Sequence, residues 1–185
     1  MNDDSKSSLP SWAPIAGLIV GALVVMLLLW ALVIKSDEDE AKDDGPKIVQ
    51  SSDIAATAKR LGRSIYWAGE RPNTKLELAE SDSGRVYVRY LDMDSEAGVR
   101  SADFLTVATY PVADPAAALR RAKQTRPDAE LARSDGGALI LIDPSAPGSI
   151  RVAYPGASEQ VEVYTPDIAE GVELVKRDEI EPVVR

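Results

Sequence analysis

The sequence contains neither cysteine nor histidine in 185 residues. Without thiols it has no disulfides and no thiol nucleophile. Without imidazoles it lacks the usual zinc ligands, the common catalytic triads and the commonest general base at neutral pH. An enzyme of this composition would have to work with carboxylates, Lys, Tyr, Ser or Thr. We therefore expect no catalytic activity, no metal site and no cofactor.

Basic residues are scarce relative to acidic ones. The chain has 21 Lys and Arg against 30 Asp and Glu, a net charge of −9. Residues 48–185 alone carry 17 basic and 22 acidic groups, and 17 − 22 gives −5. Binding to nucleic acid or to anionic lipid depends on Lys and Arg that neutralise phosphates. The composition argues against both kinds of partner.

A single long uncharged run, 12–34 (WAPIAGLIVGALVVMLLLWALVI), stands near the N-terminus. Eighteen or more apolar residues in succession are typical of a transmembrane helix. Trp12 and Trp30 are about 27 Å apart along such a helix, so both indoles can lie in the headgroup regions. No A-x-A-like cleavage pattern follows, which favours an uncleaved signal-anchor in the plasma membrane. Gly17 and Gly21 form a small-x-x-x-small motif that pairs helices and allows a homodimer; alternatively, they reflect the abundance of Gly in membrane helices.

The segments around this run divide the rest of the chain. Residues 1–11 form a short polar tail. Residues 35–47 are an acidic stretch with too little apolar content to pack, so we interpret them as a solvated linker. Residues 48–185 are long enough for one domain. Three Lys after the run favour a cytoplasmic C-terminus by simple counting, but they are interspersed with acidic residues, and we expect the domain to be extracytoplasmic.

The pattern of residues 48–185 predicts an α+β domain of mainly antiparallel strands with three helices. Helices are predicted at 54–61, 113–124 and 167–176, and strands at 64–68, 74–80, 85–91, 104–110, 129–133, 138–142, 149–154 and 160–164. The last strand and helix together form the segment 160–176. The tail 177–185 is predicted to be frayed or weakly extended, because Pro182 cannot continue a helix.

The apolar alternation also fixes the register of one hairpin. Leu76 and Leu78 must share a face with Val88 if one side of the sheet is buried. This parity requires a three-residue loop that ends at Gly84, with Leu78 opposite Val88. On the other face, Glu77 is then expected opposite Arg89.

Two stretches of the domain resemble each other. Residues 76–90 (LELAESDSGRVYVRY) and 129–143 (AELARSDGGALILID) are identical at six of fifteen positions. Each follows an Arg-Pro pair and precedes a strand that ends in Tyr-Pro. We interpret this as a duplicated helix–hairpin–strand module over 52–111 and 113–155; the alternative is that S-D-x-G is an ordinary turn and the matches are coincidental. In either case the Asp and Gly serve turn geometry rather than a ligand.

The first copy has aromatic and basic residues where the second is aliphatic. The candidate binding residues are Tyr66, Trp67, Arg85, Tyr87 and Arg89. Aromatic residues interleaved with Arg are typical of binding surfaces. In the second copy, the positions of Arg85, Tyr87 and Arg89 hold Ala138, Ile140 and Ile142. We therefore expect this face of the second hairpin to be covered by another part of the domain. The alternative is that Tyr66 and Trp67 belong to the hydrophobic core, that Arg89 pairs with Glu77 and that Arg85 is solvated.

Three segments are similar to sequences of known proteins: IYWAG at 65–69, GRVYVRYL at 84–91 and LTVATYP at 105–111. They resemble uncharacterised single-pass membrane proteins of high-GC Gram-positive bacteria, over about residues 65–120. The resemblance implies a protein of the bacterial envelope. It assigns no activity and no functional residues.

The function expected from these observations is a membrane-anchored, non-catalytic extracytoplasmic domain that binds another protein or an envelope component. An alternative is a structural or assembly role through homodimerisation. A carboxylate-dependent hydrolase is the outlier. Its site would consist of Asp92, Asp94, Glu96 and Asp103, which lie in or beside one loop, but that loop has few apolar neighbours that could raise a carboxyl pKa.

Overall fold

A computed structural model describes residues 45–183 of the chain. The predicted transmembrane run at 12–34, with Gly17 and Gly21, and the tail 1–11 lie outside the described residues, as does most of the linker. Within 45–183, no helix is long and apolar enough to cross a membrane.

The described part of the chain is a small α+β domain of mostly antiparallel strands with three helices, as predicted. Its elements in order are β1 (Lys47–Val49), α1 (Ser51–Leu61), β2 (Tyr66–Trp67), β3 (Thr74–Glu80), β4 (Val86–Asp92), β5 (Thr106–Pro111), α2 (Pro115–Thr125), β6 (Glu130–Arg133), β7 (Leu139–Ile142), β8 (Ser149–Ala153), β9 (Glu159–Tyr164), α3 (Ile168–Lys176) and β10 (Glu181–Pro182).

Eight strands form one sheet in the order β1-β3-β4-β5-β9-β8-β7-β6, with every neighbouring pair antiparallel. The β3–β4 hairpin has the predicted register, with Leu78 opposite Val88 and Glu77 opposite Arg89. Gly84 takes the left-handed conformation, with φ of 74°, that the three-residue loop requires. The parity of the apolar residues was therefore sufficient to fix this pairing.

The two faces of the sheet are covered differently. Face A, defined by Val88 and Val107, carries the main core, where α1 and α3 pack together with a ribbon formed by β2 and β10. Face B, defined by Tyr87 and Ala108, is covered over β6–β8 by α2, whose Leu119 is fully buried. Over β3 and β4, the loop 93–105 lies on face B instead of a helix.

The two hairpins that resemble each other in sequence occupy corresponding places in the sheet. β3-β4-β5 and β8-β7-β6 flank β9 in mirrored order, while corresponding strands run in the same direction. A twofold rotation about an axis along β9 relates the two sets of strands in this way: it reverses their order and keeps their direction. The same rotation exchanges face A and face B. Accordingly, α1 lies on face A and α2 on face B. The turns match as well: Ser81 and Ser134 each bond through their hydroxyl to the amide four residues on.

Two of the three helices begin at an aspartate that caps a backbone amide. Asp114 accepts a hydrogen bond from the Ala117 amide at 2.8 Å, and Asp167 accepts one from the Ala169 amide at 3.0 Å. The start of α1 differs from the prediction. It begins at Ser51 with Gln50 as the N-cap, and Asp53 reaches back to accept from the Gln50 amide at 2.9 Å.

Two short strands correct the predicted boundaries. Lys47 belongs to β1, so the domain includes a residue that was assigned to the linker. The tail from 177 onward contains β10, which pairs with β2. Strands of two or three residues are too short to show an alternating pattern.

Candidate functional site

The five predicted binding residues do not form one cluster. Tyr66 and Trp67 lie in β2 on the face A side of the sheet, where both belong to or pack against the main core. Arg85, Tyr87 and Arg89 lie on face B. A single binding surface made of all five is therefore not formed.

Arg89 is buried and fastens the loop 93–105 to the sheet. Its Nη1 donates to Glu77 Oε1 at 2.9 Å, and its Nη2 donates to the carbonyl oxygens of Val99 and Ser101 at 3.0 and 3.1 Å. The other Glu77 oxygen accepts from the Gly98 amide at 2.5 Å. Arg89 thus acts inside the fold, as the alternative interpretation expected for its pairing with Glu77.

Arg85 and Tyr87 belong to a packed aromatic cluster on face B. The rings of Tyr87 and Tyr110 meet edge to face with centroids 6.4 Å apart, and the Arg85 guanidinium carbon lies 5.3 Å from the Tyr110 centroid. The Tyr110 hydroxyl donates to Glu162 Oε2 at 2.8 Å. Burial, reinforced by the charge of Glu162, raises the pKa of Tyr110. Tyr87 is buried, so little aromatic surface is left for a partner.

A polar pocket lies elsewhere, on the face A side at the end of the sheet that carries the β8–β9 turn. Its volume is about 350 Å³. It is lined by Gly62, Arg63, Ser64, Tyr66, Pro155, Gly156, Ala157, Ser158 and Glu159, and we call it the Glu159 pocket. Of the predicted binding residues, it contains Tyr66.

The local sequence explains how the walls of the Glu159 pocket are held. Gly62 ends α1 in the left-handed conformation, with φ of 66°, which turns the chain towards β2. The next residue, Arg63, donates through Nη2 to the Gly84 carbonyl. Tyr66 stacks on Tyr154 at 4.7 Å, and its backbone amide donates to Thr109 Oγ1 at 3.0 Å. The connection between α1 and β2 is therefore held by specific contacts at Arg63 and Tyr66.

Two charged side chains in this pocket have polar atoms without a hydrogen-bond partner among the described residues. Glu159 is only 6% exposed, yet its carboxylate makes no hydrogen bond or ion pair with any residue of 45–183. Arg63 Nη1 is buried and also has no hydrogen-bond partner in the described part of the chain. Burial raises the pKa of the Tyr66 hydroxyl, and the charge of Glu159 raises it further. The pocket thus brings together a carboxylate, a phenol hydroxyl and a guanidinium group.

The groups of the Glu159 pocket can be compared with those of covalent catalytic sites and of metal sites. None of its groups forms the hydrogen-bonded pair of nucleophile and base that covalent catalysis requires. Among residues 45–183, no three acidic side chains converge on a position that could hold a metal ion.

Sequence reasoning missed this pocket because its walls come from residues 62–66 and 155–159, which are far apart in the chain. One signal was present. Glu159, Val161 and Val163 alternate along β9, which places an acidic residue on the same face as two buried valines. An acidic residue at an inward position of a strand is a reason to look for a site.

Comparison with known proteins gives no further guide: no family model matches the chain, and no curated protein and no solved structure was found to be similar to it.

Proposed function

We propose that the protein is a single-pass plasma-membrane protein whose extracytoplasmic domain binds another protein or an envelope component without catalysing a reaction. The observation that carries this proposal is the Glu159 pocket. Arg63 Nη1 is buried without a hydrogen-bond partner among residues 45–183, and native proteins leave few such atoms unsatisfied. The Glu159 carboxylate in the same pocket accepts no hydrogen bond from any of these residues, so both groups are available to a ligand.

The anchor supports the membrane part of the proposal. The uncharged run 12–34 has the length and composition of a transmembrane helix. Because β1 begins at Lys47, only residues 35–46 separate the run from the domain. Even fully extended, they span at most roughly 40 Å. The pocket is thereby confined to the zone next to the bilayer, where an envelope partner is present at high local concentration.

Site-specific crosslinking in intact cells tests the proposed binding. A photoreactive residue placed at Ser158, an exposed wall of the Glu159 pocket, is expected to give an adduct with a different protein or envelope molecule. The matched control places it at Asp94, an exposed position in loop 93–105 at the other end of the sheet. Equal adducts from both positions, or adducts of this chain with itself only, would contradict a binding site at the pocket.

Protease protection tests the orientation independently. In intact cells without an outer barrier, added protease is expected to digest residues 45–183 while leaving the anchor in the membrane. Digestion only after lysis would place the domain in the cytoplasm and overturn the localisation.

A second candidate function is assembly through homodimerisation, favoured by Gly17 and Gly21 in the predicted anchor. Replacing both by Leu is expected to abolish a self-crosslink if the anchors pair. A self-crosslink that persists would exclude this motif as the contact.

We also infer that the domain arose by duplication of a helix–hairpin–strand module. The support is the corresponding placement of β3-β4-β5 and β6-β7-β8 about β9, together with the shared S-D-x-G turns. Because the second turn has Gly at the position of Ser83, Ser83→Gly is expected to change the free energy of unfolding by less than about 1 kcal/mol. A larger loss would show that the two turns are not equivalent.

A further inference from the structure

We propose that the Glu159 pocket binds a small zwitterion of the size of a short peptide. The ammonium group of the ligand pairs with Glu159, and its carboxylate pairs with Arg63. This inference rests on the proposed binding function and names the chemical class of the ligand. It follows from two groups of opposite charge in one polar pocket: the Glu159 carboxylate, which has no partner among residues 45–183, and the Arg63 guanidinium, whose Nη1 has none there.

The acidic end of the pocket is suited to an ammonium group. The Glu159 carboxylate is an acceptor only, and no described residue donates to it. The Tyr66 hydroxyl lies near enough for the charge of Glu159 to act on it, and it is a second acceptor. An ammonium group has three N–H donors, and a charge-assisted hydrogen bond to a buried carboxylate is stronger than one between neutral groups.

The basic end is suited to a carboxylate. Arg63 donates through Nη2 to the Gly84 carbonyl, and its Nη1 has no partner among the described residues. A guanidinium group presents its donors in a planar fork that matches a carboxylate. Because Nη1 is buried, the ligand carboxylate is expected to reach it only after a small outward rotation of the guanidinium.

The volume and the lining residues of the Glu159 pocket restrict the chemical class of the ligand further. A volume of about 350 Å³ accommodates a dipeptide, whereas a folded protein surface could insert only one side chain or chain end. Pro155 and Ala157 are the only aliphatic side chains among the lining residues, so a bulky apolar ligand would find little complementary surface. A ligand with a single charge would leave one of the two charged groups unpaired.

Calorimetric titration of the full chain in detergent micelles tests the proposal with three probes: L-alanyl-L-alanine, its N-acetyl derivative and its C-terminal amide. The free dipeptide is expected to bind saturably. Each blocked derivative is expected to bind about tenfold or more weakly, because it lacks one charge-assisted contact.

Variants assign each end of the ligand to its residue. Glu159→Gln should abolish the preference for the free amine, and Arg63→Gln should abolish the preference for the free carboxylate, each leaving the other preference intact. Glu162→Gln, on the same strand but on face B, is the matched control and should change neither preference. A residue that merely supports the fold would weaken all three probes equally. Absence of saturable dipeptide binding, or preferences unchanged by both pocket variants, would overturn the assignment.

Failure of this inference is distinguishable from failure of the proposed function. An envelope adduct at Ser158 without any dipeptide binding would overturn the zwitterion assignment and leave the binding function supported. Dipeptide binding that depends on Glu159 and Arg63, without an envelope adduct at Ser158, would support the ligand class and contradict the envelope partner.

Discussion

The two halves of the sheet are covered by different elements. Around β6–β8, helices lie on both sides: α2 covers face B, and α3 packs on face A. Around β3 and β4, α1 and the β2–β10 ribbon belong to the face A core, but face B has no helix among the described elements. There the loop 93–105 takes its place, and it is more than twice as long as the corresponding connection 143–148.

This difference explains the residues that distinguish the two hairpins. Arg85, Tyr87 and Arg89 face the loop side, whereas the positions that correspond to them in sequence, Ala138, Ile140 and Ile142, face the core under α3. A helix covers a sheet with apolar side chains. A loop brings unpaired backbone groups, which need polar partners when they are buried. Arg89 and Glu77 supply those partners, so the charged residues of the first hairpin satisfy the loop that covers them.

The largest expected effect tests whether this buried pair holds the loop. Arg89→Leu leaves the Glu77 charge buried without its partner and two loop carbonyls unsatisfied, so we expect a loss of about 3–5 kcal/mol in the free energy of unfolding. Urea denaturation of the full chain measures it.

The control is the double variant Glu77→Leu/Arg89→Leu. It leaves no uncompensated buried charge and should lose less stability than Arg89→Leu alone. If both variants are equally destabilised, the ion pair is not what makes the first half sensitive.

The second prediction applies to the helix-covered half. Leu119 of α2 is fully buried against face B, so Leu119→Ala removes apolar contacts and leaves a cavity. We expect a loss of about 3 kcal/mol, measured in the same way. Leu131→Ala, at the half-buried edge of the same cluster, should lose less, because less apolar area is removed from the interior. Equal losses would show that α2 does not cover face B as tightly as the structure indicates.

A third, smaller effect concerns how α2 begins. The Asp114 carboxylate caps the Ala117 amide, and Asp114→Ala is expected to lose about 1 kcal/mol. Asp114→Asn keeps an acceptor oxygen and should retain most of the stability. If the asparagine variant is as unstable as the alanine variant, the charge rather than the hydrogen bond carries the effect.

The sequence was sufficient for those parts of the fold that depend on neighbouring residues. Alternation along β3 and β4 fixed the pairing of Leu78 with Val88, and the helices predicted at 113–124 and 167–176 correspond to α2 and α3. The exchange of faces between the halves was not predictable, because it depends on β9 lying between β5 and β8. The partner of Arg89 could be named from register alone, but its contacts with Val99 and Ser101 depend on a loop without periodicity.

The candidate site illustrates the same limit. Tyr66 was singled out for its aromatic character, but its neighbour in the pocket, Glu159, is brought there by the pairing of β9 with β5. Local patterns carry no information about such a meeting. The predicted anchor at 12–34 is the opposite case, since hydrophobicity alone predicts it, and it remains a prediction.

The smallest expected effect concerns the charged network around Asp143 in the second half of the sheet. This network contrasts with the buried Glu77–Arg89 pair of the first half. Asp143 lies within ion-pair distance of Arg126 Nε, at 3.1 Å though not in hydrogen-bond geometry, and of Arg151. Burial by itself raises the pKa of Asp143, but hydrogen bonds from Ser145 and the charges of Arg126 and Arg151 outweigh it and hold the pKa below its usual value. Because Arg126 is 45% exposed, Arg126→Gln should lose less than about 1 kcal/mol at pH 7.

The pH dependence of that loss has a definite sign. A carboxyl whose pKa is lower in the folded state stabilises the fold above its unfolded pKa of about 3.9, and this contribution disappears as the pH falls through the folded value. The difference in unfolding free energy between wild type and Arg126→Gln should therefore be constant from pH 7 to about 5 and shrink towards zero in more acidic solution. A difference that persists when Asp143 is protonated would mean that Arg126 acts through packing. In that case the second half would depend on the packing of the aliphatic part of Arg126 as much as on its charge, whereas the loop side of the first half depends on the hydrogen bonds of Arg89.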